Sequence, residues 1–222
     1  MRPILQLSNN NKTSEFLTNL IAKQMNFCVH KITISDINHI NNIVETEDAA
    51  LLIIGLTSDK EIQFYLNKCR ELRIPYIFTK DTLPTDFYIN NIILPITNLE
   101  EEREKGPFAS SFARHFNCHI AIYQPNDYGS KAISNIETIK TLFDSFKLNH
   151  STSKGKKDSN SIELETSTIH KNTPNSILII SASRDYGLDD ILFGPKERKI
   201  IKNTNIPTML INPRGDLYTL CD

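Results

Sequence analysis

The side chains best suited to bind a ligand or to react follow a short apolar run in the last quarter of the chain. Residues 177–180 read as a strand buried on both faces, and Ser181, Ser183 and Arg184 come directly after it. Open parallel sheets bind ligands at the loops that follow their strands. An arginine in such a loop is a charge-assisted donor for a phosphate or a carboxylate. The competing and simpler interpretation is a loop arginine that faces solvent.

Acidic residues and histidines suggest two further kinds of site. Asp185, Asp189 and Asp190 could bind a divalent metal ion, but they lack the ligand order of a metal-binding loop, and acids at a helix start are the simpler interpretation. His30 and His119 hold equivalent places in two similar segments, which suggests a paired site; a polar strand residue that faces away from the core is the simpler interpretation. No histidine stands at metal-ligand spacing from a cysteine, and G-x-S-x-G, G-x-G-x-x-G and P-loop motifs are absent. We therefore predict neither a catalytic residue nor a metal site.

Composition argues against several classes of protein. The 222 residues carry a formal net charge of −1, so bulk electrostatics attracts neither nucleic acid nor an anionic membrane. No apolar run approaches the roughly 20 residues that span a bilayer, and residues 1–5 enter a strand without a signal-peptide pattern, so we expect a cytoplasmic protein. The four cysteines form no C-x-x-C pair and are expected to be reduced. Cys28 and Cys118 lie in apolar runs and are predicted to be buried, whereas Cys221 is predicted to be exposed.

Apolar runs alternate with segments of helical periodicity along the chain. This alternation predicts parallel sheets with right-handed crossovers. The predicted strands are residues 3–7, 27–34, 50–55, 75–79, 91–96, 118–123, 177–180 and 207–211. The predicted helices are residues 14–25, 36–44, 62–72, 99–116 and 130–146, with a weaker candidate at 161–170 and a last helix before residue 203. The acidic residues 100–104 are interpreted as a solvated helix start, and the polar, lysine-rich residues 149–160 as a solvated loop.

The pattern of elements begins a second time near residue 91. Three pairs of segments match, namely 27–30 with 116–119, 51–54 with 177–180, and 73–75 with 205–207. Such self-similarity indicates a duplicated unit. The first copy lacks a counterpart of the helix at 130–146 and of the strand that follows it. We therefore predict two tandem domains, residues 1–88 and residues 89–222.

The order and spacing of these segments resemble the tandem universal stress protein family over nearly the whole chain. The resembling segments are Ile92-Ile93-Leu94-Pro95-Ile96 for the opening strand, Ser110, Phe112-Ala113 and Phe116-Asn117 for the first helix, and residues 191–194 and 206–211 for the last helix and strand. The resemblance implies two tandem flavodoxin-like or Rossmann-like α/β domains with parallel sheets. It implies strand order 3-2-1-4-5 in the second domain and a shortened version in the first. It also implies that the last strands of the two domains pair across a two-fold axis, here within one chain.

In the ATP-binding branch of that family, a loop of the form G-x-x-G, nine residues, G-[S/T] wraps the phosphates through its backbone amides. In this chain the pattern matches only at Gly194, because Ser181 and Arg184 stand at the first two glycine positions. Pro195 replaces the small hydroxyl residue and lacks an amide donor. The phosphate loop of the second copy is therefore incomplete.

Two further departures bear on the same chemistry. Thr97 stands where the family's opening strand usually ends in an acidic residue. The first copy keeps Gly55, followed by Thr57 and Ser58, but has no later glycine. If a nucleotide such as ATP or AMP binds, the resemblance implies a set of contacting residues in the second copy: Thr97, Ser181, Ser183, Arg184 and Gly194.

Functions of different classes follow from this reading. The leading hypothesis is a universal stress protein-like, non-enzymatic binding or stress-response protein, which forms an intramolecular pseudo-dimer and binds a protein partner or a small ligand. The alternative is an adenine-nucleotide binding protein or slow ATPase that uses residues 181–194. A third hypothesis is a plain scaffold that forms a homodimer through a sheet edge.

Overall fold

A computed structural model describes residues 2–8, 11–127, 130–183 and 195–213. Within these ranges the strands are β1 Pro3–Leu7, β2 Cys28–Ile32, β3 Leu51–Leu56, β4 Tyr76–Lys80, β5 Asn91–Pro95, β6 His119–Gln124, β7 His150–Lys154, β8 Ser176–Ser181 and β9 Thr208–Ile211. The helices are α1 Lys12–Met25, α2 Ile40–Thr46, α3 Ile62–Cys69, α4 Lys105–Phe116, α5 Ser130–Ser145, α6 Ile162–Ile169 and α7 Lys196–Asn203. Short 3₁₀ turns at Asp36–His39 and Glu100–Glu104 lead into α2 and α4.

The nine described strands form one continuous sheet in the order β2-β1-β3-β4-β9-β8-β5-β6-β7. Every neighbouring pair is parallel except β4 and β9, which are antiparallel with Ile77 opposite Met209. The last strand of each half, β4 in the first and β9 in the second, therefore lies at the centre of the sheet, where the strand direction reverses. The predicted pairing of these two strands within one chain is therefore present.

The strand order bears out the predicted α/β fold class. Numbered along the chain, β5 to β9 lie in the order 3-2-1-4-5, as the resemblance implies. The strands β1 to β4 form the same arrangement without a third strand, so β2 occupies an edge of the sheet, whereas its counterpart β6 is covered by β7. The boundary between residues 88 and 89 stays a prediction, since one uninterrupted sheet spans both regions.

Both faces of the central part of the sheet are buried because its strands carry apolar side chains on both faces. Along β8, Ile177 and Ile179 face one core, and Leu178 and Ile180 face the other. Helices α1, α4 and α5 cover the first core, while α2, α3 and α7 cover the second. In the described part of the chain, no helix combines the length and the apolar character needed to cross a bilayer.

Two local predictions about the edges of the sheet are wrong. Residues 150–154 form β7, paired with β6 from Ile120↔His150 to Gln124↔Lys154, and are not a solvated loop. An edge strand exposes most of its side chains, so its polar sequence carries no alternation signal and backbone pairing alone defines it. Cys28 is exposed, and it begins β2, which is an edge strand of the sheet. Cys118 is buried, as predicted.

Candidate functional site

Three of the five predicted site residues lie at the carboxyl ends of β5 and β8. Thr97 follows β5 and Ser181 ends β8, and these strands are parallel neighbours. Both residues are buried, and Ser183 lies two positions beyond Ser181. Arg184 and Gly194 lie outside the residues that the structure describes. This edge is where an open parallel sheet normally binds a ligand.

A fully buried ammonium group lies at the centre of this edge. Lys105 begins α4, and its side chain has no exposed surface. Its Nζ donates to the carbonyl oxygen of Pro95 at 2.8 Å, to Oε2 of Glu102 at 2.8 Å and to Oε1 of Glu163 at 3.0 Å. An ammonium group has three donor hydrogens, so all of them are used. Lys105 has no donor left for an incoming phosphate.

Glu163 on α6 connects the end of β8 to two lysines. Its Oε1 also accepts the amide N–H of Ser181 at 3.2 Å, and its Oε2 lies 2.8 Å from Nζ of Lys196 on α7. Burial by itself raises the pKa of a carboxyl group, but the charges of Lys196 and Lys105 outweigh it and hold the pKa of Glu163 well below its usual range. Although burial alone would lower the pKa of Lys196, Glu163 raises it above the ordinary value. Glu163 is therefore ionised and paired.

Glu102 ties the end of β5 into the same network. Its Oε2 accepts the amide N–H of Thr97 at 2.7 Å as well as the Lys105 ammonium. Glu102 has no exposed surface, so the interpretation of residues 100–104 as a solvated helix start is wrong at this position. Its carboxylate points inward because an ammonium and a backbone amide compensate its burial. An unbroken chain of polar contacts thus runs from Thr97 through Glu102, Lys105 and Glu163 to Ser181.

A third carboxylate lies in the first turn of α7. Glu197 is 1% exposed, and its Oε1 accepts the amide N–H of Ser183. Its Oε2 is buried without a hydrogen-bond partner in the described part of the chain. Burial raises the pKa of Glu197 above the ordinary value, and this effect exceeds the lowering by its hydrogen bond to Ser183 and by the charge of Lys196. Glu197 is thus easier to protonate than Glu163.

We call the following residues the buried charge cluster: Glu102, Lys105, Glu163, Lys196 and Glu197. Its three carboxylates outnumber its two ammonium groups, so the cluster carries excess negative charge when all five are ionised. The backbone amides of Thr97, Ser181 and Ser183 each donate to one of these carboxylates. The carboxyl edge of β5 and β8 therefore already holds anionic oxygens, and they come from the chain itself.

Sequence reasoning missed the cluster. The spacing of Glu102 and Lys105, three residues apart at a helix start, is the only local signal, and it is equally typical of a solvated ion pair. Glu163 lies 58 positions from Lys105 along the chain, and nothing in its own segment marks it as buried. Only the packing of α6 and α7 over the sheet brings these groups together.

The carboxyl end of β3 shows a similar contact in a more open setting. Glu61, which precedes α3, accepts the amide N–H and the hydroxyl of Thr57 at 2.9 and 2.7 Å, and the amide N–H of Ser58 at 3.4 Å. A neighbouring cavity of about 370 Å³ is lined by Asn11 and residues 56–59 and 80–82. Here too a glutamate at the start of a helix accepts the amides that follow a strand.

Gly55 has a packing reason at this end of the sheet. A Cβ atom at this position would lie 2.6 Å from Cβ of Asn11. The side chain of Asn11 accepts the amide N–H of Ser14 at 2.8 Å and thereby caps α1, and its Nδ2 donates to the carbonyl of Leu56 at 3.1 Å. The glycine therefore allows the helix cap to approach β3 closely.

Metal chemistry finds no support in the described ranges. Among those residues, no group of three or more His, Cys, Asp or Glu side chains could hold a metal ion. His30 on β2 and His119 on β6 are separated by six strands of the sheet, so they do not form a paired site. The aspartates of the loop after β8 fall outside the described residues: Asp185, Asp189 and Asp190.

Comparisons with known proteins agree with the topology. The sequence matches no family model and no curated protein. Among solved structures, the chain is similar to a universal stress protein from Archaeoglobus fulgidus DSM 4304, at 9% identity and a TM-score of 0.62, covering 97% of this chain and 88% of that one. It is also similar to a protein of unknown function from Pseudomonas aeruginosa PAO1, at 14% identity and a TM-score of 0.56, covering 98% and 84%. The chain therefore has the α/β fold of the universal stress proteins, and the predicted resemblance is confirmed at the level of the fold.

Proposed function

We propose that this chain is a universal stress protein-like, non-enzymatic binding protein. Its own carboxylates occupy the place at the carboxyl ends of β5 and β8 where a nucleotide phosphate would bind. One observation carries the proposal: Glu163 accepts the amide of Ser181 while it is paired with Lys105 and Lys196. The Glu163 carboxylate thus makes the contacts that a bound phosphate would make, with a backbone amide and with two ammonium groups. The stress-response role itself rests on the shared fold.

Like-charge repulsion argues against a nucleotide at this edge. A triphosphate that approached Thr97, Ser181 and Ser183 would find each amide already donating to a carboxylate. It would then have to displace buried, paired carboxylates, and removing one partner of a buried ion pair costs about 3–5 kcal/mol. The alternative of an ATP or AMP binding protein, or a slow ATPase, would need residues 181–194 to provide donors besides these three amides.

An intramolecular pseudo-dimer is the second part of the proposal. It is supported by the antiparallel pairing of β4 with β9, in which both central residues, Ile77 and Met209, are fully buried. It is also supported by the two hydrophobic cores, since each draws residues from both sides of residue 88. Residues 1–88 and 89–222 would then act as two copies of one module that share a sheet.

Titration calorimetry with ATP and with AMP tests the first part. We expect no saturable heat with the purified protein and no rise in its melting temperature, because a ligand specific to the folded state must stabilise it by mass action. Saturable micromolar binding that Gly194→Asp abolishes would establish the nucleotide alternative. Glu163→Gln provides a matched comparison: if displacement of this carboxylate limits access, nucleotide affinity should rise in that variant.

Separate expression of residues 1–88 and 89–222 tests the pseudo-dimer. We expect the two pieces to form a one-to-one complex when they are produced together, because each alone exposes a central strand as an unpaired edge. Light scattering on the full chain should then give the mass of a monomer. A stable dimer of full chains would instead support the scaffold hypothesis, and pieces that fold separately without associating would exclude the pseudo-dimer.

A further inference from the structure

A cavity of about 290 Å³ lies beside the carboxyl end of β5. Of the residues that the structure describes, six line it: Asn98, Glu100, Arg103, Lys131, Ser134 and Asn135. The turn Glu100–Glu104 forms one wall, and the first two turns of α5 form the other. None of these residues belongs to the cluster, and none was singled out by its sequence as a ligand contact.

The guanidinium of Arg103 is held in place over this cavity. Its Nε donates to Oδ1 of Asn135 at 3.0 Å, and its Nη2 donates to Oγ of Ser134 at 3.3 Å. A guanidinium has five N–H donors in a rigid fork, so three are left after these two bonds. The planar group is therefore oriented and still has donors to offer.

Asn135 explains why the arginine is positioned so firmly. It is 2% exposed, and its Nδ2 donates to the backbone carbonyls of Thr97 at 3.2 Å and Leu99 at 2.7 Å. These bonds fix the orientation of the side-chain amide, and its oxygen then points at Arg103. A buried amide that is anchored to the backbone at one end and holds a cation at the other is the kind of support that pre-organises a binding group.

A second cation and a helix dipole add positive potential. Lys131 lines the cavity in the first turn of α5, a helix of 16 residues, and it makes no hydrogen bond or ion pair with any described residue. The N-terminal end of a helix carries a partial positive charge. Glu100 is the one acid in the lining, and it forms no ion pair with either cation in the described part of the chain. The lining thus has an excess of positive charge.

We propose that this cavity binds a small molecule through a phosphate group, with Arg103 as the bidentate donor and Lys131 as the second cation. Arginine matches the geometry of a phosphate with two parallel N–H donors, and the hydroxyl of Ser134 and amide of Asn98 supply neutral partners. The volume lies at the lower limit of small-molecule pockets, about 300 Å³, so the site suits a small phosphorylated metabolite or free phosphate better than a nucleotide. This phosphate site is separate from the buried charge cluster, and none of its residues belongs to that cluster.

Titration with inorganic phosphate at constant ionic strength tests the site, followed by the amide resonances of residues 131–135 in two-dimensional NMR. We expect saturable shifts confined to these amides and to residues 98–103, with a dissociation constant of about 1 mM or tighter. Arg103→Gln should weaken binding at least about tenfold, as loss of a charge-assisted pair implies. Lys131→Gln should weaken it less, and Lys140→Gln on the same helix should leave it unchanged.

Arg103→Lys separates recognition from folding, because it keeps the charge but loses the planar fork. We expect this variant to fold, as judged by its circular dichroism, and to bind phosphate several-fold more weakly. Absence of saturation at about 10 mM phosphate, or an Arg103→Gln protein that binds as tightly as the wild type, would overturn the proposal. ATP binding that is lost in Gly194→Asp but retained in Arg103→Gln would contradict the proposal that carboxylates of the chain occupy the nucleotide-phosphate position. It would not contradict the phosphate site at Arg103.

Discussion

The sheet has two carboxyl ends, one in each half, and at both of them backbone amides donate hydrogen bonds to glutamates in different surroundings. After β3, the amides of Thr57 and Ser58 donate to Glu61, which is partly open to solvent. After β8, the amides of Ser181 and Ser183 donate to carboxylates that are almost completely buried. Both ends therefore present glutamates from neighbouring helices to the amides at a strand end. They differ in how far water has been excluded.

This difference decides what each contact contributes to stability. An exposed carboxylate keeps most of its hydration, so its contacts with the loop contribute little. A buried carboxylate has lost its hydration and is tolerated only while its partners remain, which is why Lys105 and Lys196 accompany the second end. Substitutions of matched type at the two ends should therefore have unequal effects.

The largest expected effect is that of Glu163→Gln. This change leaves Lys105 and Lys196 without the carboxylate that they share, and removal of one partner from a buried ion pair costs about 3–5 kcal/mol. Urea unfolding should show a loss of stability of that size. The exposed Glu137→Gln on α5 is the control and should change stability by less than about 0.5 kcal/mol. A loss below about 1 kcal/mol for Glu163→Gln would mean that the cluster is not a coupled unit.

Gly55→Ala should produce the next largest effect, at the first end. The new Cβ would lie 2.6 Å from Cβ and Cγ of Asn11 and displace the cap of α1, so we expect a loss of about 1–3 kcal/mol. Gly106→Ala is the matched control, because its Cβ would meet side-chain atoms of Ile139 and Leu142 at the longer distances of 3.3 and 3.4 Å, so we expect a smaller loss than for Gly55→Ala. Equal thermal shifts in the two variants would contradict the packing reason given for Gly55.

The pH dependence of stability should run in opposite directions for Glu163 and Glu197. The folded-state pKa of Glu163 is lowered, so its contribution is complete above its ordinary value of 4.5 and is lost as the pH falls below it. The folded-state pKa of Glu197 is raised, so its ionisation costs stability as the pH rises from 4.5 through that higher pKa.

Unfolding free energies measured from about pH 3 to about pH 7 check this prediction. The deficit of Glu163→Gln relative to the wild type should shrink toward acid pH. Glu197→Gln should become more stable relative to the wild type as the pH rises. Parallel pH profiles for the two variants would show that their environments are alike, which the geometry argues against.

The smallest expected effect is that of Glu61→Gln. A glutamine keeps one acceptor oxygen for the amide of Thr57 and removes a charge that water already screens, so we expect a change below about 1 kcal/mol. Urea unfolding of Glu61→Gln and of Glu197→Gln, both at neutral pH, compares the two ends directly. A loss above about 2 kcal/mol for Glu61→Gln would mean that the first end is also closed to water.

The sequence by itself determined the class of fold and most of its elements. Apolar runs at residues 51–54, 91–96 and 177–180 predict strands buried on both faces, and their alternation with helices predicts a parallel sheet. These signals are local, since each strand carries its own burial pattern. The resemblance to the universal stress proteins added the order 3-2-1-4-5 and the pairing of β4 with β9, both of which are present. The domain boundary and the ligand-contact roles of the five predicted site residues stay predictions: Thr97, Ser181, Ser183, Arg184 and Gly194.

Tertiary structure alone decided which charged and polar residues are buried. Glu102 and Glu163 have local surroundings typical of solvated helix residues, and the polar segment His150–Lys154 has no strand pattern of its own. Glu163 and β7 acquire their roles from partners far along the chain, namely Lys105 for Glu163 and β6 for β7. The burial of a charge is stable only in the presence of its counter-charge, and the pairing of an edge strand only in the presence of its neighbour. Neither condition can be read from the segment itself.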